Sequence, residues 1–236
     1  MSNYFWQRLG AASGIVYVVV LLGPDLIQGG PSEEPTMTAA EAIAHSCVTA
    51  AAAQPKDAVI PILHALGFLF FLFFLGSLWS ALRRAEGDNG WLSAAAFGGG
   101  LASFAIKFAS GAFGVAASRN ACAGIDPQLW QVLQDMNSAS FFISFLPLAV
   151  LSAASAVVAI RFGVPLPRWL GWMSAVVAVA LLVDGFAGTI YTRDVGLSFL
   201  LFMLWTLVTS IVLIRRAGMP LPTVSAALAS PVKETG

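Results

Sequence analysis

The chain has 236 residues, of which 58% are hydrophobic and only 10% charged, against about 25% charged in an average soluble domain. Twelve Lys and Arg balance twelve Asp and Glu, so the net charge is zero and no basic block marks a nucleic-acid surface. These figures exclude an ordinary soluble domain, and the length accommodates a single helical bundle with no separate soluble domain.

The apolar residues come in runs of roughly 20, the length that carries a helix across a bilayer core. An all-α, six-helix transmembrane bundle follows, one integral membrane domain over 1–236, with spans at about 9–28, 58–82, 91–117, 138–160, 169–191 and 195–214. The first apolar run ends at Gly23-Pro24-Asp25. It is longer than a signal-peptide core and no small-x-small cleavage site follows it, so it is expected to be retained as a span. Its opening, Arg8-Leu-Gly-Ala-Ala-Ser-Gly-Ile-Val-Tyr17, is similar to the openings of several uncharacterised bacterial six-helix membrane proteins, a resemblance that carries no function with it.

In the outer loop, 29–57, Thr38-Ala39-Ala40-Glu41 fits a capping box, in which a hydroxyl and a carboxylate each satisfy an open helix N–H. The Ala-rich stretch after it, ending before Pro55, is expected to form a short outer helix as a cap. Span two is dense in Phe (Phe68, Phe70, Phe71, Phe73, Phe74), and its large side chains are expected mainly to face lipid. Span three is rich in Gly and Ala and carries Lys107. Asp126-Pro127 reads as an N-cap followed by proline at the first helical position, so 127–137 should lie on the outer surface or extend span four. Span five carries Asp184, and span six stops at Arg215-Arg216, before an inner tail, 220–236, expected to be disordered.

With the N-terminus inside, the inner segments hold Arg8, Arg83, Arg84, Arg161, Arg168, Arg215, Arg216 and Lys233, and the outer ones only Lys56, Arg119 and Arg193. The positive-inside rule then places both termini in the cytoplasm of a multi-pass cell-membrane protein, in character a bacterial inner-membrane one. Cys47 and Cys122 both fall outside, where disulfides form, and their bond would close a loop of about 75 residues. A faint repeat relates Arg161-Phe-Gly-Val-Pro165-Leu-Pro167 to Arg216-Ala-Gly-Met-Pro220-Leu-Pro222, and Trp91-Leu to Trp169-Leu. It suggests that hairpins two–three and four–five arose by duplication about an axis along the membrane normal.

A charge within hydrocarbon is costly and is usually paired and often functional. Lys107 lies 16 residues past Trp91 and Asp184 lies 15 past Trp169, depths of about 24 and 22 Å from the inner interface. His64 falls in the same outer layer, and Asp25 ends the first span. The expected cluster is therefore Asp25, His64, Lys107 and Asp184, either as a structural ion pair or as a ligand-binding or proton-relaying site. Gly100, Ser103, Lys107, Gly111 and Gly114 form one small, polar stripe at helical spacing, and Ala180, Asp184, Ala187, Gly188 and Tyr191 form another. Such stripes let membrane helices approach closely.

Enzyme signals are weak. The two histidines, His45 and His64, have no metal-ligand spacing, no G-x-S-x-G or phosphate-loop pattern occurs, and nothing singles out one Ser as a nucleophile beside a base. No cofactor is implied; a haem on His64 would lack a good second ligand. The expected roles are binding or transport of a small solute or protons through the outer polar site, or service as an accessory subunit. In the second role the Phe-rich span and a belt of Trp79, Trp91, Trp130, Trp169, Trp172 and Trp205 would meet membrane-protein partners or a second copy. The partners in view are the lipid bilayer, a small molecule and other membrane helices.

Overall fold

The computed structural model describes residues 3–27, 37–52, 59–88, 90–163, 166–191 and 197–217. These residues form eight helices: α1 (Asn3–Ile27), α2 (Ala39–Ala52), α3 (Val59–Glu86), α4 (Trp91–Ala121), α5 (Pro127–Ile143), α6 (Phe145–Phe162), α7 (Arg168–Tyr191) and α8 (Leu197–Arg216). Six stretches are long and apolar enough to cross a membrane, α5 and α6 counting as one through Ser144. The architecture is thus that of a polytopic membrane protein. The expected tail 220–236 and the second copy of the Pro-Leu-Pro repeat lie outside the described residues.

Nearby side chains set three of the helix starts. Ahead of α2, the Thr38 N–H donates to Glu41 Oε2 at 2.8 Å and the Glu41 N–H donates to Thr38 Oγ1 at 3.4 Å, the reciprocal capping box. At α5, Asp126 Oδ1 accepts the N–H groups of Gln128 and Leu129 at 2.9 and 3.1 Å, with Pro127 supplying a first residue that needs no donor. At α4 the cap comes from the preceding helix: Glu86 accepts the N–H groups of Leu92 and Ser93, both at 2.9 Å. Gly90 makes the turn between them at φ 54°, in the left-handed region that suits glycine.

The segment 127–137 extends span four and does not lie across the surface. α4 has 31 residues, about 46 Å of helix at 1.5 Å per residue, so together with α5 it outruns a hydrocarbon core of roughly 30 Å. α2 packs on α4 and α5, and the Cys47–Cys122 disulfide ties it there. Closing a 75-residue separation contributes about 4 kcal/mol on the chain-entropy model.

α6 is the central helix, packed on α4 and α7, while α1 packs on α3 and α8. Packing corrects two expectations about large side chains. Phe71 and Phe74 of the Phe-rich helix are buried, with Phe145 and Phe202, and only Phe73 among the five span-two phenylalanines is largely exposed. Trp205 is fully buried, its Nε1 donating to Ser174 Oγ at 2.7 Å, so it belongs to the core and not to a belt that meets partner helices. Trp79, Trp91, Trp169 and Trp172 are exposed.

Candidate functional site

α4 turns one face inward at Ser103, Lys107, Ser110 and Gly111, positions four, seven and eight residues from the first and so stacked along one stripe. This stripe forms one wall of a cavity of about 480 Å³. Tyr17 and Leu21 of α1, and His64, Phe68 and Phe71 of α3, line it opposite. Asn137 and Phe141 of α5, Ser144, Leu148 of α6 and Phe199 of α8 complete it. A Cβ at Gly111 would meet nothing within 4 Å, so the absent side chain there leaves space open.

Of the expected cluster, the structure brings Lys107 and His64 together on the walls of this cavity. Asp184 is elsewhere. Its Oδ2 accepts the backbone N–H of Ser198 at 3.3 Å, in the first turn of α8. A carboxylate there is favoured by the open N–H groups and by the helix dipole. Among the described residues α4 makes no approach to α7, because the α5–α6 helix stands between them. A Cβ at Gly185 would lie 2.9 Å from the Leu146 side chain, and one at Gly188 would strike the Phe142 ring. The small stripe of α7 is thus spent on α5 and α6, and the expected amine–carboxylate pair is not made. Asp25 lies in the last turn of α1; its side chain is outside the described residues.

Four acids therefore have one occupation, each at a helix N-terminus: Glu41 at α2, Glu86 at α4, Asp126 at α5 and Asp184 at α8. The Thr38 N–H, and after it the Thr38 hydroxyl, hold the exposed Glu41 carboxyl below its ordinary pKa.

Among the described residues, no carboxylate pairs with Lys107. Its Nζ sits 3.6 Å from the centroid of the Phe141 ring. That ring packs edge-on against Phe145 at 4.8 Å and Phe199 at 5.6 Å, which fixes it under the amine. Phe199 follows Ser198, so the Asp184 cap positions this cavity wall at one remove. A cation–π contact contributes about 0.5–2 kcal/mol; withdrawing an ammonium from water costs several. The ring alone does not offset that cost.

The other polar groups divide in two. Ser110 donates to the Lys107 carbonyl at 2.9 Å and Ser144 to the Phe141 carbonyl at 2.6 Å, so both hydroxyl protons are committed within their own chain segments. Among the described residues no hydrogen bond engages the side chains of Ser103 and Asn137. Ser103 stands in the small, polar stripe legible in the sequence, and nothing in that spacing joins it to His64 of α3 or Asn137 of α5.

No protein-family model, no curated protein and no solved structure matches this chain. What fold and site define is a class, a six-span helical membrane protein with a mostly apolar cavity between its helices that carries a few polar groups.

Proposed function

We propose that the protein binds a small solute in the cavity between α1, α3, α4, α5 and α8, with Lys107 as the principal recognition group and His64 as a second polar wall. The observation that carries this reading is the Lys107 ammonium facing a cavity of about 480 Å³ whose walls, among the described residues, hold no carboxylate. That volume falls within the 300–1,000 Å³ usual for small-molecule sites, and mostly apolar walls with a few placed polar groups are their usual make-up. In this reading the termini and the basic ends of the helices face the cytoplasm, following the excess of Lys and Arg, and the disulfide-bound cap faces out.

The test uses the purified protein in phosphatidylcholine nanodiscs, with thermal stability read against defined anionic, cationic and neutral amphiphiles. The comparison is Gly111→Leu, whose side chain grows into open space and fills the cavity without meeting a neighbour at its Cβ. At least one class should raise the Tm of the native protein and not of Gly111→Leu. Equal shifts in both proteins for every compound would remove the cavity as a binding site.

A second reading, an accessory subunit, draws on a different observation. A groove of about 480 Å³ runs between α1 and α3, lined by Trp6, Gly10, Ser13, Val16, Phe73 and Ser77. Small residues in such a groove would admit a partner helix closely. Stoichiometric co-purification of another membrane protein in mild detergent, lost on Ser77→Phe, would support it.

A further inference from the structure

Resting on the solute-binding reading, we infer the class of the solute: an amphipathic monocarboxylate, its carboxylate on Lys107 and its hydrocarbon part against the phenylalanines of the cavity. Charge comes first. Among the described residues the walls carry one lysine, Lys107, and no acid. A cationic or zwitterionic solute would bring an ammonium with nothing to receive it. A neutral one would leave the Lys107 ammonium without a counter-charge in surroundings where isolated charge is poorly tolerated. A dianion such as a phosphate monoester would exceed the single positive charge present.

Hydrogen bonding agrees. Among the described residues the Ser103 hydroxyl and the Asn137 amide on these walls make no hydrogen bond and are able to donate, while the Ser110 and Ser144 protons are already given to backbone carbonyls. A carboxylate offers two oxygens with several lone pairs and no proton, which suits an ammonium flanked by donors. The remaining wall is aromatic and aliphatic, led by Phe68, Phe71, Phe104 and Phe199. A free amino acid or a sugar acid would leave its other polar groups unbonded against these rings. An acyl chain or an aryl group would not. The two sources of such an acid, a membrane-derived acyl chain and a water-soluble aryl acid, share this chemistry and are separated by the probes below.

The experiment measures binding to the full-length protein in phosphatidylcholine nanodiscs, using decanoate, 4-phenylbutyrate, decanol and decyltrimethylammonium as probes. The proteins are native, Lys107→Met and Gly111→Leu. Decanoate or 4-phenylbutyrate should bind the native protein and bind Lys107→Met at least tenfold more weakly, and both should be lost in Gly111→Leu. Decanol should not distinguish native protein from Lys107→Met. Preference for decanoate names the acyl source and preference for 4-phenylbutyrate the aryl one; either supports the class. Two outcomes overturn it: decanoate and 4-phenylbutyrate binding Lys107→Met as well as native protein, or decanol or decyltrimethylammonium binding at Gly111-sensitive strength while both carboxylates do not. These leave the cavity as a binding site for another class. Failure of all four probes to bind in a Gly111-sensitive way would remove the binding reading itself. Unchanged thermal unfolding of each variant without probe certifies that the fold is intact.

Discussion

The carboxylate of Asp184 accepts the backbone N–H of Ser198 at 3.3 Å and so belongs to the start of α8, while the amine of Lys107 rests on the ring of Phe141 across the intervening α5–α6 helix. Two charges of opposite sign, at matched distances along their helices, have separate tasks. One fastens a helix end, and the other faces the cavity.

This separation has an energetic signature. Asp184→Ala should lower stability by about 1–2 kcal/mol through loss of a helix cap, and Asp184→Asn, which keeps an acceptor, by less. The double variant Asp184→Ala with Lys107→Met should show additive effects within about 0.5 kcal/mol, as expected for sites with no shared partner. Equilibrium unfolding in detergent reads all three. A coupling above 1 kcal/mol would mean that the two groups interact.

Neighbouring glycines of α4 should respond differently to the same change. A Cβ at Gly99 would stand 2.5 Å from the Pro147 carbonyl oxygen and 3.0 Å from the Leu151 nitrogen, both backbone atoms of the central helix. A Cβ at Gly100 would meet only the side chain of Leu75, its methyl ends first, and a leucine side chain can turn aside where backbone cannot. Overpacking costs about 1–3 kcal/mol and alanine returns roughly 1 kcal/mol of helix propensity. Gly99→Ala should therefore lower the Tm clearly, and Gly100→Ala should stay near native. Equal Tm values for the two would place the close approach wrongly.

The buried Trp205 indole offers a third check. Its Nε1 donates to Ser174 Oγ, and that hydroxyl in turn donates to the Leu170 carbonyl at 2.8 Å. Ser174→Ala strands a buried N–H, at a cost of about 1–3 kcal/mol. Adding Trp205→Phe, which removes the donor, should make the Ser174→Ala change much less costly. Unfolding measurements on the cycle test this; equal costs of Ser174→Ala in both backgrounds would mean that the bond contributes nothing.

At the cap, the carboxyl of Glu41 is held below its ordinary pKa of 4.5 by Thr38. A lowered folded-state value means that the capping contribution is complete above pH 4.5 and disappears as the pH falls through the lower, folded-state value. Hydrogen exchange at the first amides of α2 should lose protection in that acid window, and Glu41→Gln should abolish the pH dependence. An unaltered dependence in Glu41→Gln would assign it to another group.

The sequence foretold the parts of this fold whose causes are local. Thr38 and Glu41 stand three apart, and Asp126 adjoins Pro127, so each cap is written within a few residues. The Cys47–Cys122 bond was inferred once counting put both on one side of the bilayer. Distance along a helix is also legible, because rise per residue is fixed, and His64 and Lys107, expected in one layer, line one cavity. Neighbour choice is not legible in this way. The stripe through Asp184 said that α7 has a small face, and nothing in its spacing said that Phe142 and Leu146 would occupy it. Likewise the run of Phe in α3 gave no sign of which rings turn inward, since that depends on where α1 and α8 lie.

The central claim is that the Lys107 ammonium is kept for something the cavity receives and holds no part of the protein together. The thermal stability of Lys107→Met without added solute tests it most directly. The account predicts a Tm equal to or above the native value, since methionine keeps the contact with Phe141 and removes a poorly solvated charge. A loss of about 3–5 kcal/mol, the cost of breaking a buried ion pair, would contradict it.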